Sequence, residues 1–153
     1  MAKNAPNKND DTTLTVRCLV RASIEDCFAA WTEPQQLKAW WGLEGVDCID
    51  AEIDLRIQGG YRIGNQLASG KIIWITGRFV SISPPHELSY TWQIGSNPAD
   101  ESLVNVAFEP KGDMTEVTVT HDRNASVEMR DSHQRGWLGC LKGFEVHMQG
   151  LLR

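Results

Sequence analysis

Apolar positions recur in two distinct rhythms along this chain, and the switch between them marks its elements. Leu14, Val16, Cys18 and Val20 alternate with Thr15, Arg17 and Arg21, the period of a strand with one buried face. Ser23 followed by Asp26 resembles a capping box, and Phe28, Ala29 and Trp31 then predict a short helix ending before Pro34. Pro34 suits a first helical position, because the N–H it lacks would have no intrahelical partner there. Leu37, Trp40 and Trp41 share one side of this second short helix.

Beyond Val46 the period becomes two. Ile49, Ala51, Ile53, Leu55 and Ile57 are expected on one face of a strand, and Gly59-Gly60 turns the chain into the next strand at Tyr61. Further strands are expected at Ile72 to Ile82, Leu88 to Ile94, Leu103 to Glu109 and Thr115 to His121, separated by Pro84-Pro85-His86, 95–100 and 110–113. Short strands joined by short loops imply an antiparallel meander. From Val127 to Leu152 the period returns to helical: Met129, His133, Trp137, Cys140, Leu141, Phe144, Met148 and Leu151 fall on one arc. Gly136, Gly143 and Gly150 run along its edge, which implies close backbone approach or space left for another molecule. The expected architecture is α+β. About six to seven antiparallel strands curve around a long C-terminal helix, and two short helices after the first strand close one end of the groove.

Length and charge narrow the class. The 153 residues suit a single domain over 14–153, preceded by a polar stretch, 1–13, expected to be a disordered tail without signal-peptide character. A formal charge of -5 and the lack of a Lys/Arg cluster argue against nucleic acid or an anionic membrane as partner. No apolar run reaches the roughly 18 residues of a membrane span. Cys18, Cys27, Cys48 and Cys140 lack metal-ligand spacing and read as free thiols, which makes the cytoplasm the expected compartment. No metal or other cofactor is expected.

The motifs have a familiar order. Phe28-Ala29-Ala30-Trp31-Thr32 leads to Leu37, Trp40, Trp41 and Gly42, then to Asp54-Leu55-Arg56 with Gly59-Gly60-Tyr61. Gly77-Arg78-Phe79, Pro84-Pro85, Leu88 and Tyr90-Thr91-Trp92 follow, and His133 with Gly136-Trp137 closes the series. Together these resemble the family of homologues of the heat-shock-protein-90 ATPase activator, of its C-terminal-domain type, within the SRPBCC or START-like superfamily that also holds polyketide cyclases. The resemblance implies a helix-grip, Bet-v-like fold with a hydrophobic cavity, and it covers nearly the whole chain. It does not extend to the activator's N-terminal half, so direct stimulation of a chaperone ATPase is not expected.

Candidate residues follow from strand parity and the helical arc. The faces expected to turn inward are Ile72, Trp74 and Thr76; Leu88, Tyr90 and Trp92; Val104, Val106 and Phe108; and Val117, Val119 and His121. The candidate cavity set is Trp40, Trp41, Tyr61, Trp74, Tyr90, Trp92, Phe108, His121, His133, Trp137, Leu141 and Phe144. Any single tryptophan reads first as ordinary core and second as pocket lining, and Trp40, Trp41 and Trp74 are the foremost candidates for the cavity. His121 and His133 are the candidates for proton transfer, against the plainer reading of buried histidines satisfied by backbone groups. No G-x-S-x-G, H-E-x-x-H, phosphate loop or dinucleotide fingerprint is present, so the reading favours a non-catalytic pocket for a small hydrophobic or aromatic ligand, with a stress-related role. A cyclase-like enzyme using the same cavity and a co-chaperone-like surface are the alternatives, and a protein partner or a homodimer stays open.

Overall fold

The computed structural model describes residues 11–42 and 45–151. Seven strands form one antiparallel sheet: β1 (Leu14–Val20), β2 (Asp47–Ile53), β3 (Gly60–Gln66), β4 (Ile72–Ser83), β5 (Glu87–Ile94), β6 (Ser102–Lys111) and β7 (Met114–Asp122). Their order is β1-β7-β6-β5-β4-β3-β2, so β2 to β7 form the expected meander and β1 joins at its far edge. The helices are α1 (Ile24–Thr32), α2 (Pro34–Trp40) and the 25-residue α3 (Val127–Leu151). The fold is the helix-grip arrangement, a curled half-barrel around a long C-terminal helix.

Local chemistry accounts for these boundaries. Ser23 Oγ accepts the Asp26 N–H and caps α1, whose Cys27, Phe28, Ala30 and Trp31 are buried. α2 follows one residue later because Pro34 stops α1 and starts a new turn. On β5, β6 and β7 the alternation reads directly as burial: Leu88, Tyr90 and Trp92, then Val104, Val106 and Phe108, then Val117, Val119 and His121 point inward. Against them α3 buries Trp137, Cys140, Leu141, Phe144 and Met148, whereas Leu151 on the expected arc is exposed. The expected last helical residue, Leu152, lies outside the described residues.

Two parity expectations need correction. On β4 the inward residues are Ile73, Ile75 and Phe79, since Ile75 pairs with the buried Ile63; Ile72, Trp74 and Thr76 therefore face outward. Four consecutive apolar residues, Ile72 to Ile75, make both faces look alike in sequence. On β2 a register shift between Cys48 and Asp50 turns Ile49 outward beside Gly64, while Leu55 and Ile57 lie past the strand and are exposed. A bulge adds one residue to one strand and so inverts every parity beyond it.

The tail boundary also shifts. Residues 1–10 lie outside the described residues, but 11–13 are held: Thr13 Oγ1 donates to Asp122 Oδ1 at 2.7 Å, and the Thr12 carbonyl accepts from both Asn124 N and Asn124 Nδ2.

Candidate functional site

The sheet curls around α3 incompletely, which leaves a half-open cavity of about 320 Å³ between the N-terminal half of α3 and the ends of β3, β4 and β5. Three indoles, Trp41, Trp92 and Trp137, supply its aromatic side, and Val46, Leu67, Ile73, Ile75 and Ile94 an aliphatic one. Trp41 caps the C-terminal end of α2, Trp92 comes from β5 and Trp137 from α3, so three separate elements bring the rings together. Trp41 meets Trp137 edge to face at 5.4 Å, and Trp92 lies tilted against Trp137 at 5.3 Å. Such packing fixes each ring, since edge-on and offset contacts between aromatics are favourable at these separations.

On the inner wall, the Ser132 hydroxyl at the rim apart, the polar nitrogen and amide groups are already paired. Trp41 Nε1 donates to Asn65 Oδ1 at 2.9 Å, and Asn65 Nδ2 reaches the Ile63 and Ile73 carbonyls. Trp92 Nε1 donates to His133 Nε2 at 3.1 Å; Trp137 Nε1 donates to His121 Nδ1 at 3.0 Å. An indole N–H can only donate, so each nitrogen it meets carries a lone pair and the proton sits on the other ring nitrogen. His121 Nε2–H therefore donates to Ser102 Oγ at 2.7 Å, and His133 Nδ1–H to Asn124 Oδ1 at 2.5 Å. The two imidazoles stack with centroids 4.4 Å apart.

This arrangement holds both rings neutral. Burial, with the neighbouring His133 contributing second, lowers His121 to about 2, and burial lowers His133 to about 4. A proton on either acceptor nitrogen would face an indole N–H, donor against donor. The plainer expectation of histidines satisfied by backbone groups is thus corrected in its partners: both are pinned by side chains, and only His133 reaches the cavity. His121 lies wholly in the core behind it.

The remaining candidates separate by position. Trp41, Trp92, His133 and Trp137 line the cavity. Tyr61 and Tyr90 line a separate apolar void of about 20 Å³, hardly larger than one water, together with Trp41. Trp40, Phe108, Leu141 and Phe144 are buried core; Trp40 Nε1 donates to the Ala30 carbonyl, and its ring packs edge to face on Phe144. Trp74 is corrected outright: its ring lies on the outer surface across Gly64, with the Arg62 guanidinium 3.9 Å from its centroid.

Sequence reasoning missed Asn65, Ser132, Gly136 and Cys140 on the wall. Gly136 belonged to the glycine stripe already singled out, and Cys140 to the helical arc; nothing local distinguished Asn65. Burial pushes the Cys140 thiol up to about 12, so it is no nucleophile at neutral pH. Among the described residues no group of three His, Cys, Asp or Glu side chains could hold a metal, and no helix is long and apolar enough to cross a membrane.

Comparison with known proteins places this geometry. A Rhodobacter sphaeroides protein of known structure is 24% identical, with 95% of this chain and 97% of that one aligned at a TM-score of 0.82. The AHSA1 protein of Silicibacter pomeroyi is 22% identical over 92% of this chain and 99% of its own, with a TM-score of 0.79. An AHSA1-like protein of Aeromonas hydrophila, solved in solution, is 21% identical over 91% and 93%, again with a TM-score of 0.79. At these identities the likeness establishes the fold. No curated protein matches the sequence. The model of the family described as activator of Hsp90 ATPase homolog 1-like protein matches residues 21–149, from the end of β1 to the last turns of α3, and the chain belongs to that family.

Proposed function

We propose that this protein binds a small apolar or aromatic molecule in the cavity between α3 and the sheet, in the cytoplasm, as a carrier or sequestering protein in a stress response. One observation carries the reading: a half-open cavity of about 320 Å³, walled by three tryptophans and five aliphatic side chains, whose Asn65 and His133 are already hydrogen-bonded within the protein. Ligand sites are typically concave and mostly apolar, of about 300–1,000 Å³. Four free cysteines suit a reducing compartment.

A cyclase-like reaction in the same cavity would need a group able to take or give a proton at the ligand. Apart from the Cys140 thiol, which burial keeps protonated, the titratable side chain on the wall is His133, and its lone pair is occupied by the Trp92 N–H. Proton transfer through it would first have to break that bond, which favours binding over chemistry.

Native mass spectrometry of freshly purified protein, followed by organic extraction, tests the reading. A co-purified apolar molecule at one per chain is the expected result. Protein that is empty, and whose tryptophan fluorescence no apolar aromatic compound perturbs, would refute it.

A further inference from the structure

The hydrogen-bond economy of the cavity wall restricts its occupant more tightly than its apolar character alone. We propose that the cavity selects an uncharged, flat molecule of about two fused rings and discriminates against the carboxylate analogue of that molecule. This deepens the ligand-binding reading and rests on it.

Size comes first. An apolar protein cavity of roughly 150 Å³ accommodates benzene. The present cavity, at about 320 Å³, is about twice that, room for a second ring. Shape follows from the rings already there. Trp41, Trp92 and Trp137 are locked by their contacts and by their N–H bonds, so they present fixed aromatic surfaces that a flat molecule can lie against without reordering the wall.

Charge and polarity decide the rest. The lining contains no Lys, Arg, Asp or Glu. Each indole N–H on the wall is committed: Trp41 to Asn65, Trp92 to His133 and Trp137 to His121. The Asn65 amide is spent on Trp41 and on two strand carbonyls, and the His133 N–H on Asn124. A carboxylate pushed into this space would lose its water and find no cation and no free donor on the inner wall, a cost that apolar contacts do not repay. Ser132 is different. It lies at the exposed rim, its hydroxyl has no protein partner among the described residues, and it can meet a neutral hydroxyl on the outer end of a ligand.

The test compares naphthalene, naphthol and naphthoate at about neutral pH, where the last is ionised, by tryptophan quenching and calorimetry on the full chain. Naphthalene and naphthol are expected to bind with similar affinity, and naphthoate at least about tenfold more weakly. Gly136→Leu, which projects a side chain from α3 into the cavity, is expected to abolish binding of all three; thermal melting verifies that the variant is folded. Ile73→Phe, which narrows the same space from β4, serves as the second blocking variant. Naphthoate binding as tightly as naphthalene would overturn the charge selection, and a linear alcohol such as decanol binding more tightly than naphthol would overturn the preference for flat rings. Affinity unchanged in folded blocking variants would place the ligand elsewhere and overturn the assignment. Failure of every neutral probe, ring or chain, would overturn the ligand-binding reading itself.

Discussion

At the residue scale the most constrained feature is the histidine pair, because all four imidazole nitrogens have side-chain partners. Trp92 and Trp137 donate to one nitrogen of each ring, while Asn124 and Ser102 accept from the other. Both pKa values lie below the ordinary histidine value of 6.5, at about 4 for His133 and about 2 for His121. Below pH 6.5 the unfolded chain therefore binds protons that the folded one refuses, and stability falls as pH falls. It is fully present above about 6.5, and His133 ceases to add to the loss near 4 while His121 continues towards 2. Each fully buried histidine costs about 1.4 kcal/mol per pH unit in this window, and His133, which solvent partly reaches, costs less. Melting temperatures should therefore drop steeply between about pH 6.5 and pH 4. His133→Gln keeps an acceptor for Trp92 and a donor for Asn124 but cannot titrate there, so its curve should be shallower. A wild-type melting temperature that stays flat across the window, or a variant as steep as wild type, would refute the account. The sequence placed His133 on the buried arc and His121 on the inward face of β7. It could not show their partners, because Trp92 lies 41 residues from His133 along the chain.

At the scale of elements, α3 shows how one sequence feature takes three physical meanings. The glycines at 136, 143 and 150 look equivalent on a helical wheel, yet each meets a different neighbour. Gly136 borders the cavity. A β-carbon on Gly143 would stand 2.5 Å from the Trp40 carbonyl oxygen, so that glycine lets α3 approach the end of α2; one on Gly150 would have nothing within 4 Å. Replacing glycine by alanine inside a helix gains about 1 kcal/mol where there is room, and less at a fraying end. Gly150→Ala should thus stabilise by a few tenths to about 1 kcal/mol. Gly143→Ala should destabilise by about 1–3 kcal/mol, because backbone must move to admit the methyl group. Urea denaturation of the two variants measures both, and equal effects would refute the close approach. Strands were legible to a similar degree. β5, β6 and β7 alternate cleanly and their buried faces follow from parity, whereas Ile72 to Ile75 carries apolar residues on both faces of β4. Trp74 was misplaced for that reason: an outward tryptophan shielded by Arg62 and seated on a glycine resembles a buried one until the register is known. The bulge at Cys48 to Asp50 hid Ile49 in the same way.

At the scale of the molecule, the sheet runs from β1 to β2 with α1 and α2 carrying the chain between those two edges, and α3 fills the space they enclose. That much followed from counting strands and finding one long amphipathic helix. The part that did not follow is a clasp at the C-terminal end of β7, made by residues the sequence offered only as polar tail. The Asp11 carbonyl accepts from Arg130 Nη1 at 2.6 Å, the Thr12 carbonyl from Asn124 Nδ2 at 2.8 Å, and Thr13 donates to Asp122. Partners more than 100 residues away leave no periodic trace, so no local pattern could reveal them. Asn124 joins this clasp to the cavity: besides Thr12 it bonds the His121 carbonyl, and its own Oδ1 accepts from His133, which in turn fixes Trp92. The route from the Thr12 carbonyl to Trp92 on the ligand wall thus runs through two side chains, Asn124 and His133, each step a part-buried hydrogen bond. A chain beginning at Leu14 loses the clasp but keeps every strand and α3. Net hydrogen bonds are worth about 1 kcal/mol each, offset in part by the freedom regained by the released residues, so the loss should be about 1–3 kcal/mol, or roughly 3–10 °C in melting temperature. If Asn124 transmits the clasp to the wall, affinity for naphthalene should also fall, because Trp92 is then less firmly placed. Removing residues 1–10 alone serves as the comparison, since it leaves the bonds of 11–13 in place, and it should change neither quantity appreciably. A chain starting at Leu14 that melts lower yet binds equally well would make the clasp a matter of stability alone; one that matches the full chain in both would show that the contacts of 11–13 contribute nothing.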